Sequence, residues 1–308
     1  LSKWIDLAEE VVVVDSDSTD GTVDFLRAHL RHPNLSFLRH PPGLYDSWNF
    51  GISRIRAKYT AIATCGDTLS RAGVASLLAT IERLGCEVLI SKPMFEDTEG
   101  RPLVAPHWPV DEVVGKLKLD APLVLTRLEA LVFMAADLRS AFTGSCASCL
   151  FRTETLQRRP FPADVGAAGD GMWALRNALQ IVWGVTPELV STFLKHPVDF
   201  GSVERRLQAP LRLRPDLFLA QSVSEGLASG LVSAESLEKF GWSRVERALA
   251  EYCVGKAEFD GFRKERWPWF LRPGAWVSRI RRDRAQSELR GLRDGLLRME
   301  RSTERGEQ

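Results

Sequence analysis

Four consecutive valines, Val11 to Val14, run without a polar break into the stretch "DSDSTDGT". Unbroken apolarity of this kind predicts a short strand covered on both faces, as in a parallel sheet. Ahead of it Leu1, Trp4, Ile5 and Ala8 recur at helical spacing. Behind it Ser18, Thr19 or Asp20 offers a helix cap, with Val23, Leu26 and Leu30 on the expected buried side. "NLSFLRH" reads as a second strand, and "PPGLYD" leads into a helical "SWNFGISRIRA". "YTAIAT" is a third strand candidate that ends at "CGDTLS". From Ser70 onward Val74, Leu77, Leu78, Ile81 and Leu84 mark an amphipathic helix that Gly85 stops. "CEVLISKPMF" predicts another strand, and "EDTEGRP" a polar turn.

Alternating strand and helix predict a parallel or mixed sheet flanked by helices. Residues 142–200 continue the pattern, with a small-residue stretch "FTGSCASCLF", a helix around "GDGMWALRNALQ" and a strand near "ELVSTFLKH". Beyond about residue 205 the pattern is helical and basic. The expected organisation is therefore one α/β domain over 1–204 and a helical, basic extension over 205–308. Ligands of such sheets gather at the carboxyl ends of strands, and two polar clusters, Asp15–Asp20 and Gly66–Asp67, fall at such ends.

Composition narrows the partners. The chain has 308 residues, 44% of them hydrophobic, and a net charge of +1, which gives no electrostatic case for nucleic acid. No apolar run is long enough to cross a bilayer. Five cysteines at irregular spacing do not form a disulfide framework, and a reducing, cytoplasmic compartment is expected. Cys146 and Cys149 form a C-x-x-C with no second ligand pair at zinc-site spacing. No G-x-G-x-x-G follows a strand, so a dinucleotide oxidoreductase is disfavoured.

Three segments carry candidate chemistry. Asp15 and Asp17, among the hydroxyls of Ser16, Ser18 and Thr19, present acceptors for a nucleobase N–H or a ribose hydroxyl; a capping turn explains them too. Gly66–Asp67 sets a lone carboxylate at a strand end, suited to a divalent cation that also binds diphosphate oxygens; a plain turn before a helix is the alternative. Asp170, between two glycines at a helix start, is a general base or simply a helix cap.

In order and spacing, "VVVVDSDSTDGT", "GLYDSWNFGISRIRAKYTAIATCGDTLS" and "GDGMWALR" resemble the inverting family 2 glycosyltransferases. The likeness runs from about Leu1 to about Asp199. It is most specific in "GLYDSWNFGI", which resembles the segment found in bacterial members that build surface polysaccharides and lipopolysaccharide. The fold this implies is GT-A, a Rossmann-like nucleotide-diphosphosugar transferase domain. The implied roles are donor binding by Asp15, Ser16, Asp17, Asp46, Asn49, Gly66 and Asp67. Mg²⁺ or Mn²⁺ on the sugar-nucleotide diphosphate would be held by Asp67, with His196 as a second candidate, and Asp170 would be the catalytic base. The implied acceptor is a saccharide or lipid-linked hydroxyl. The different-class alternative is a truncated or degenerate relative that only binds a nucleotide or a partner.

Several positions depart from the family pattern. Asp17 stands where glycine is common, so it must accept that glycine's backbone. Cys65–Gly66–Asp67 keeps only the last acid of the metal motif. The strand with which members begin is not in this sequence, so the first strand of the domain is expected to be missing. Finally, residues 262–284 interleave Trp267, Trp269, Phe270 and Trp276 with arginines. Peripheral contact with the inner face of a membrane and a helical cap packed on the catalytic domain are the two expectations for this segment. Leu289, Leu292, Leu296 and Met299 add a short heptad-like run, consistent with weak self-association.

Overall fold

The computed structural model describes residues 5–64, 66–104, 109–136, 142–143, 146–195, 213–264 and 273–306. Its contacts divide the chain into two compact units. One is built from 1–124, 141–173 and 182–209, the other from 125–140, 174–181 and 210–308. This grouping differs from a single cut near residue 204, because two earlier segments cluster with the C-terminal helices.

In chain order the elements begin with β1 (Val11–Asp15), α1 (Thr22–His29), β2 (Leu35–Arg39), α2 (Leu44–Ile52), β3 (Tyr59–Thr60) and β4 (Thr68–Leu69). Next come α3 (Arg71–Leu84), β5 (Val88–Ile90), β6 (Pro93–Asp97), α4 (Pro109–Leu117), β7 (Leu123–Val124) and α5 (Arg127–Ala136). β8 (Cys149–Arg152), α6 (Thr153–Arg158), α7 (Gly169–Arg176), β9 (Trp183–Val185) and β10 (Ser191–Lys195) follow. The chain closes with α8 (Pro215–Ala228), α9 (Ala234–Phe240), α10 (Trp242–Lys264) and α11 (Pro273–Gly306).

The first unit holds three sheets. A five-stranded mixed sheet has the order β3-β8-β5-β9-β7, with β5 and β9 parallel and the other pairs antiparallel. β4-β10-β6 forms a three-stranded sheet, and β1 and β2 a parallel pair in register from Val11↔Leu35 to Asp15↔Arg39. The fold class is thus the expected mixed α/β. The amphipathic α3 matches its pattern closely: the Ser70 hydroxyl accepts from Gly73 N–H at 2.9 Å, Leu77 and Ile81 are buried, and Gly85 ends the helix at φ 65°.

Four expectations need correcting. β1 is half-buried along its length, because among the described residues it pairs only with β2. α1 buries none of its side chains, so Val23, Leu26 and Leu30 are only partly covered. "YTAIAT" pairs with β8 over Tyr59 and Thr60 alone. "CEVLISKPMF" is two strands in two sheets. It breaks where Ser91 N–H and Oγ both donate to Ser148 O, and Pro93, lacking an N–H, opens the second strand. Of the N-terminal helical pattern, Ile5 is buried, while residues 1–4 lie outside the described residues.

The second unit is helical. α5 is buried at every position from Ala130 to Ala136, as a helix apolar on all sides requires. The Gln286 amide of α11 donates to Ala136 O at its end, and the Arg293 guanidinium lies 5.9 Å over the Phe133 ring. Leu289 and Leu296 of the heptad-like run are buried within the chain itself. α10 and α11 approach so closely at Gly255 that a Cβ there would lie 2.9 Å from both Ser278 O and Arg282 N. Gly255→Val is therefore expected to destabilise the helical unit by about 1–3 kcal/mol, read as a lower thermal midpoint of the far-ultraviolet helix signal.

Candidate functional site

The polar end of β1 is built by local turns. Ser18 N–H donates to Asp15 Oδ2 at 3.1 Å, and Asp17 stands at φ 60°, the left-handed conformation that the glycine-like position demands. Its carboxylate pairs with Arg39 of β2 at 2.5 Å, fixing this exposed bend. Asp20 accepts from Thr22 N–H at 3.0 Å at the start of α1, and the hydrogen bonds from Thr22 hold its carboxyl below the usual range.

α2 organises everything that follows. Gly51 lets it lie on β1: a Cβ there would be 2.9 Å from Val14 Cγ2. Ser47, buried one turn earlier, shares a 2.8 Å hydrogen bond with Ser16. Asn49 uses both ends of its amide on one residue, donating to Phe161 O at 2.8 Å and accepting from Phe161 N–H at 2.9 Å. Tyr45, only 3% exposed, donates its hydroxyl to Asp170 Oδ1 at 3.1 Å. Burial, and then the nearby Asp170 carboxylate, pushes the Tyr45 phenol well above its ordinary value, so it stays protonated and remains a donor.

Asp170 sits in the first turn of α7, where its Oδ1 also accepts from Gly171 N–H at 2.8 Å. Thr143 Oγ1 donates to the Asp170 carbonyl at 3.2 Å. Gly169 is required by contact. A Cβ at that position would stand 2.4 Å from two atoms of the Tyr45 ring. Around this joint Tyr45, Trp48, Phe161, Trp173 and Phe151 stack or meet edge to face at centroid separations of 5.1–6.5 Å.

Asp67 occupies a turn of its own. Thr64 donates to its Oδ2 through N–H at 3.1 Å and through Oγ1 at 2.6 Å, and the residue is 4% exposed. Gly66 adopts φ 98°, and a Cβ there would meet Leu194 Cδ2 of β10 at 2.5 Å. The 3₁₀ turn Cys146–Ser148 packs against β4 directly after Asp67. Burial, and then the Asp170 carboxylate, raises the Cys146 thiol well above its usual value. Burial also raises Cys149, and neither cysteine is in a disulfide. The C-x-x-C is thus packing beside the carboxylates, with thiols held in their unreactive protonated form.

The structure accordingly links Ser16 to α2 and α2 to Asp170, and holds Asp67 in its own turn with Thr64. Asp46 lies exposed in the first turn of α2, where a carboxylate favours the helix N-terminus. Asn49 is engaged by the Phe161 backbone. His196 lies outside the described residues. Sequence reasoning passed over Tyr45, Ser47 and Thr64. The signal for the first two was present in "GLYDSWNFGI", where buried Tyr45 and Ser47 flank the exposed acid Asp46.

The described architecture is thus a mixed α/β unit with acidic and hydroxyl groups at strand ends, and a helical unit. Residues 3–154 match the sequence model of glycosyl transferase family 2, and the chain carries a family 2 glycosyltransferase domain. A comparison with curated protein sequences found no match. Among solved structures, the chain is similar to S. aureus TarS 1-349 in complex with UDP, at 19% identity and a TM-score of 0.46, covering 93% of this chain and 82% of that one. It is also similar to S. aureus TarS 1-349 in complex with UDP-GlcNAc, at 18% identity and a TM-score of 0.49, covering 93% and 83%.

The Asn49 clamp makes a testable distinction. Asn49→Leu strands the N–H and carbonyl of buried Phe161 and is expected to lower stability by about 2 kcal/mol or more, measured by urea unfolding. An unchanged midpoint with weakened nucleotide binding would instead make Asn49 a ligand contact.

Proposed function

We propose that this glycosyltransferase moves a sugar from a nucleotide-diphosphate donor to a hydroxyl of a saccharide or lipid-linked acceptor, with inversion, in cell-surface polysaccharide synthesis. The observation that carries the reading is the convergence on α2, where Ser47 holds Ser16 and Tyr45 holds Asp170. Asp15, Ser16 and Asp17 line the nucleoside edge, Asp46 stands exposed beside it, and Gly66–Asp67 faces the diphosphate. Asn49 supports the site by fixing the loop at Phe161. Buried cysteines outside any disulfide fit a reducing, cytoplasmic setting.

Asp170 acts as the base. It takes the proton of the acceptor hydroxyl, whose oxygen attacks the anomeric carbon from the face opposite the diphosphate. The new C–O bond forms as the bond to the phosphate oxygen breaks, the diphosphate leaves with its charge, and the anomeric configuration inverts. Tyr45 and the Gly171 N–H hold Asp170 Oδ1, which fixes the direction in which the carboxylate faces the acceptor.

Among the described residues, no three His, Cys, Asp or Glu side chains gather as a cation cage. A single carboxylate still fits Mg²⁺ or Mn²⁺, because such an ion keeps waters and substrate phosphates as most of its ligands. Asp67, whose Oδ2 accepts from Thr64, would supply that carboxylate, and His196 is the further candidate ligand. When bound, the cation would neutralise charge on the diphosphate.

A panel of nucleotide sugars beginning with UDP-GlcNAc, with and without Mg²⁺ or Mn²⁺, tests the reading. Asp170→Asn is expected to lower turnover by about 10²–10⁴-fold with donor binding retained. Asp67→Ala is expected to abolish the metal-dependent part of donor affinity, measured by calorimetry in the presence and absence of the ion. Proton NMR of the product should give the anomer opposite to the donor. Nucleotide binding without turnover on any acceptor class would replace this reading with that of a binding-only relative.

A further inference from the structure

No described helix is long and apolar enough to cross a membrane, yet the start of α11 leaves large apolar side chains in water. Trp276, Val277 and Ile280 are 45%, 65% and 62% exposed. Their spacing continues to Arg284, also exposed, as one stripe of the helix. Ala275, Ser278, Ala285 and Leu289 occupy the opposite, buried stripe. α10 packs against α11, so this face is the side turned away from that contact.

We propose that this face of α11 docks on an anionic lipid bilayer. Charge complementarity selects the partner: between 262 and 284 the sequence places eight basic and two acidic side chains in a chain whose net charge is +1. The acids near the stripe are already engaged. Glu251 and Glu258 pair with Arg281 at 2.6 and 3.5 Å, and Asp283 with Arg279 at 3.6 Å. The Arg279 guanidinium lies 5.7 Å over the Trp276 ring, an amphipathic pair of the kind that sits at headgroup depth. Apolar side chains would enter the acyl boundary while arginines meet the phosphates. Trp267, Trp269 and Phe270 lie outside the described residues, but they extend the same composition along the sequence. This inference is independent of the donor-site reading.

Sedimentation of the full chain with vesicles tests it. Binding is expected to phosphatidylglycerol–phosphatidylcholine vesicles, to weaken as salt rises, and to be absent on phosphatidylcholine alone. Arg284→Glu is expected to lower the partition coefficient by about five-fold or more. Val277→Glu with Ile280→Glu should lower it further, with circular dichroism confirming the native helix content. No binding to anionic vesicles, or equal binding by the variants, would overturn the proposal. So would a lipid-free dimer, seen by light scattering and abolished by the double variant, because the face would then belong to a second copy of the chain.

Discussion

The first unit depends on how closely α2 approaches its two neighbours. On one side Gly51 lets the helix rest on Val14 of β1, and on the other the Tyr45 ring lies against Gly169, where no side chain can stand. Both contacts are steric, and both are within van der Waals reach only because a Cβ is missing. With the helix so placed, hydrogen bonds of ordinary length connect Ser47 to Ser16 and Tyr45 to Asp170. A shift of α2 by a fraction of an ångström on either side would stretch one of those bonds. The polar chemistry is therefore subordinate to packing.

Low exposure gives these polar contacts their importance. Asp67 and Tyr45 are nearly inaccessible, and a buried polar group without a partner is costly. Each is satisfied locally: Asp67 by Thr64, Tyr45 by Asp170, and Asp170 further by Gly171. Such satisfaction also preorganises them. A carboxylate held by two donors has few orientations to lose when a substrate arrives. The aromatic cluster around Phe161 and Trp173 supplies the rigid backing, and the Asn49 amide fastens Phe161 to the same helix.

The sequence was most readable where a helix carried its own signals. α3 announced its cap at Ser70, its buried face at Leu77 and Ile81 and its stop at Gly85, all of which are local. Strands were less readable, since a strand is defined by its neighbours. Val11–Val14 looked fully covered, but its burial depends on how many strands flank it. "CEVLISKPMF" looked like one strand, and only the meeting of Ser91 with Ser148 divides it between two sheets. α1 carried an apolar stripe that has no fully covering partner.

For the site, the sequence alone determined the residue types and their order: acids and hydroxyls after Val14, a glycine and an acid after Thr64, an acid between glycines at 170. The family resemblance put Asp17 where glycine is common, and the structure shows the backbone there to be left-handed, at φ 60°. Only the tertiary structure decided which of these groups act together. Tyr45 and Asp170 are 125 residues apart in the chain, Asn49 and Phe161 112, and Ser16 and Ser47 31. No local periodicity encodes such pairings. They arise because burying the apolar face of α2 leaves one orientation in which its polar side chains find partners, and that choice is made by the packed core.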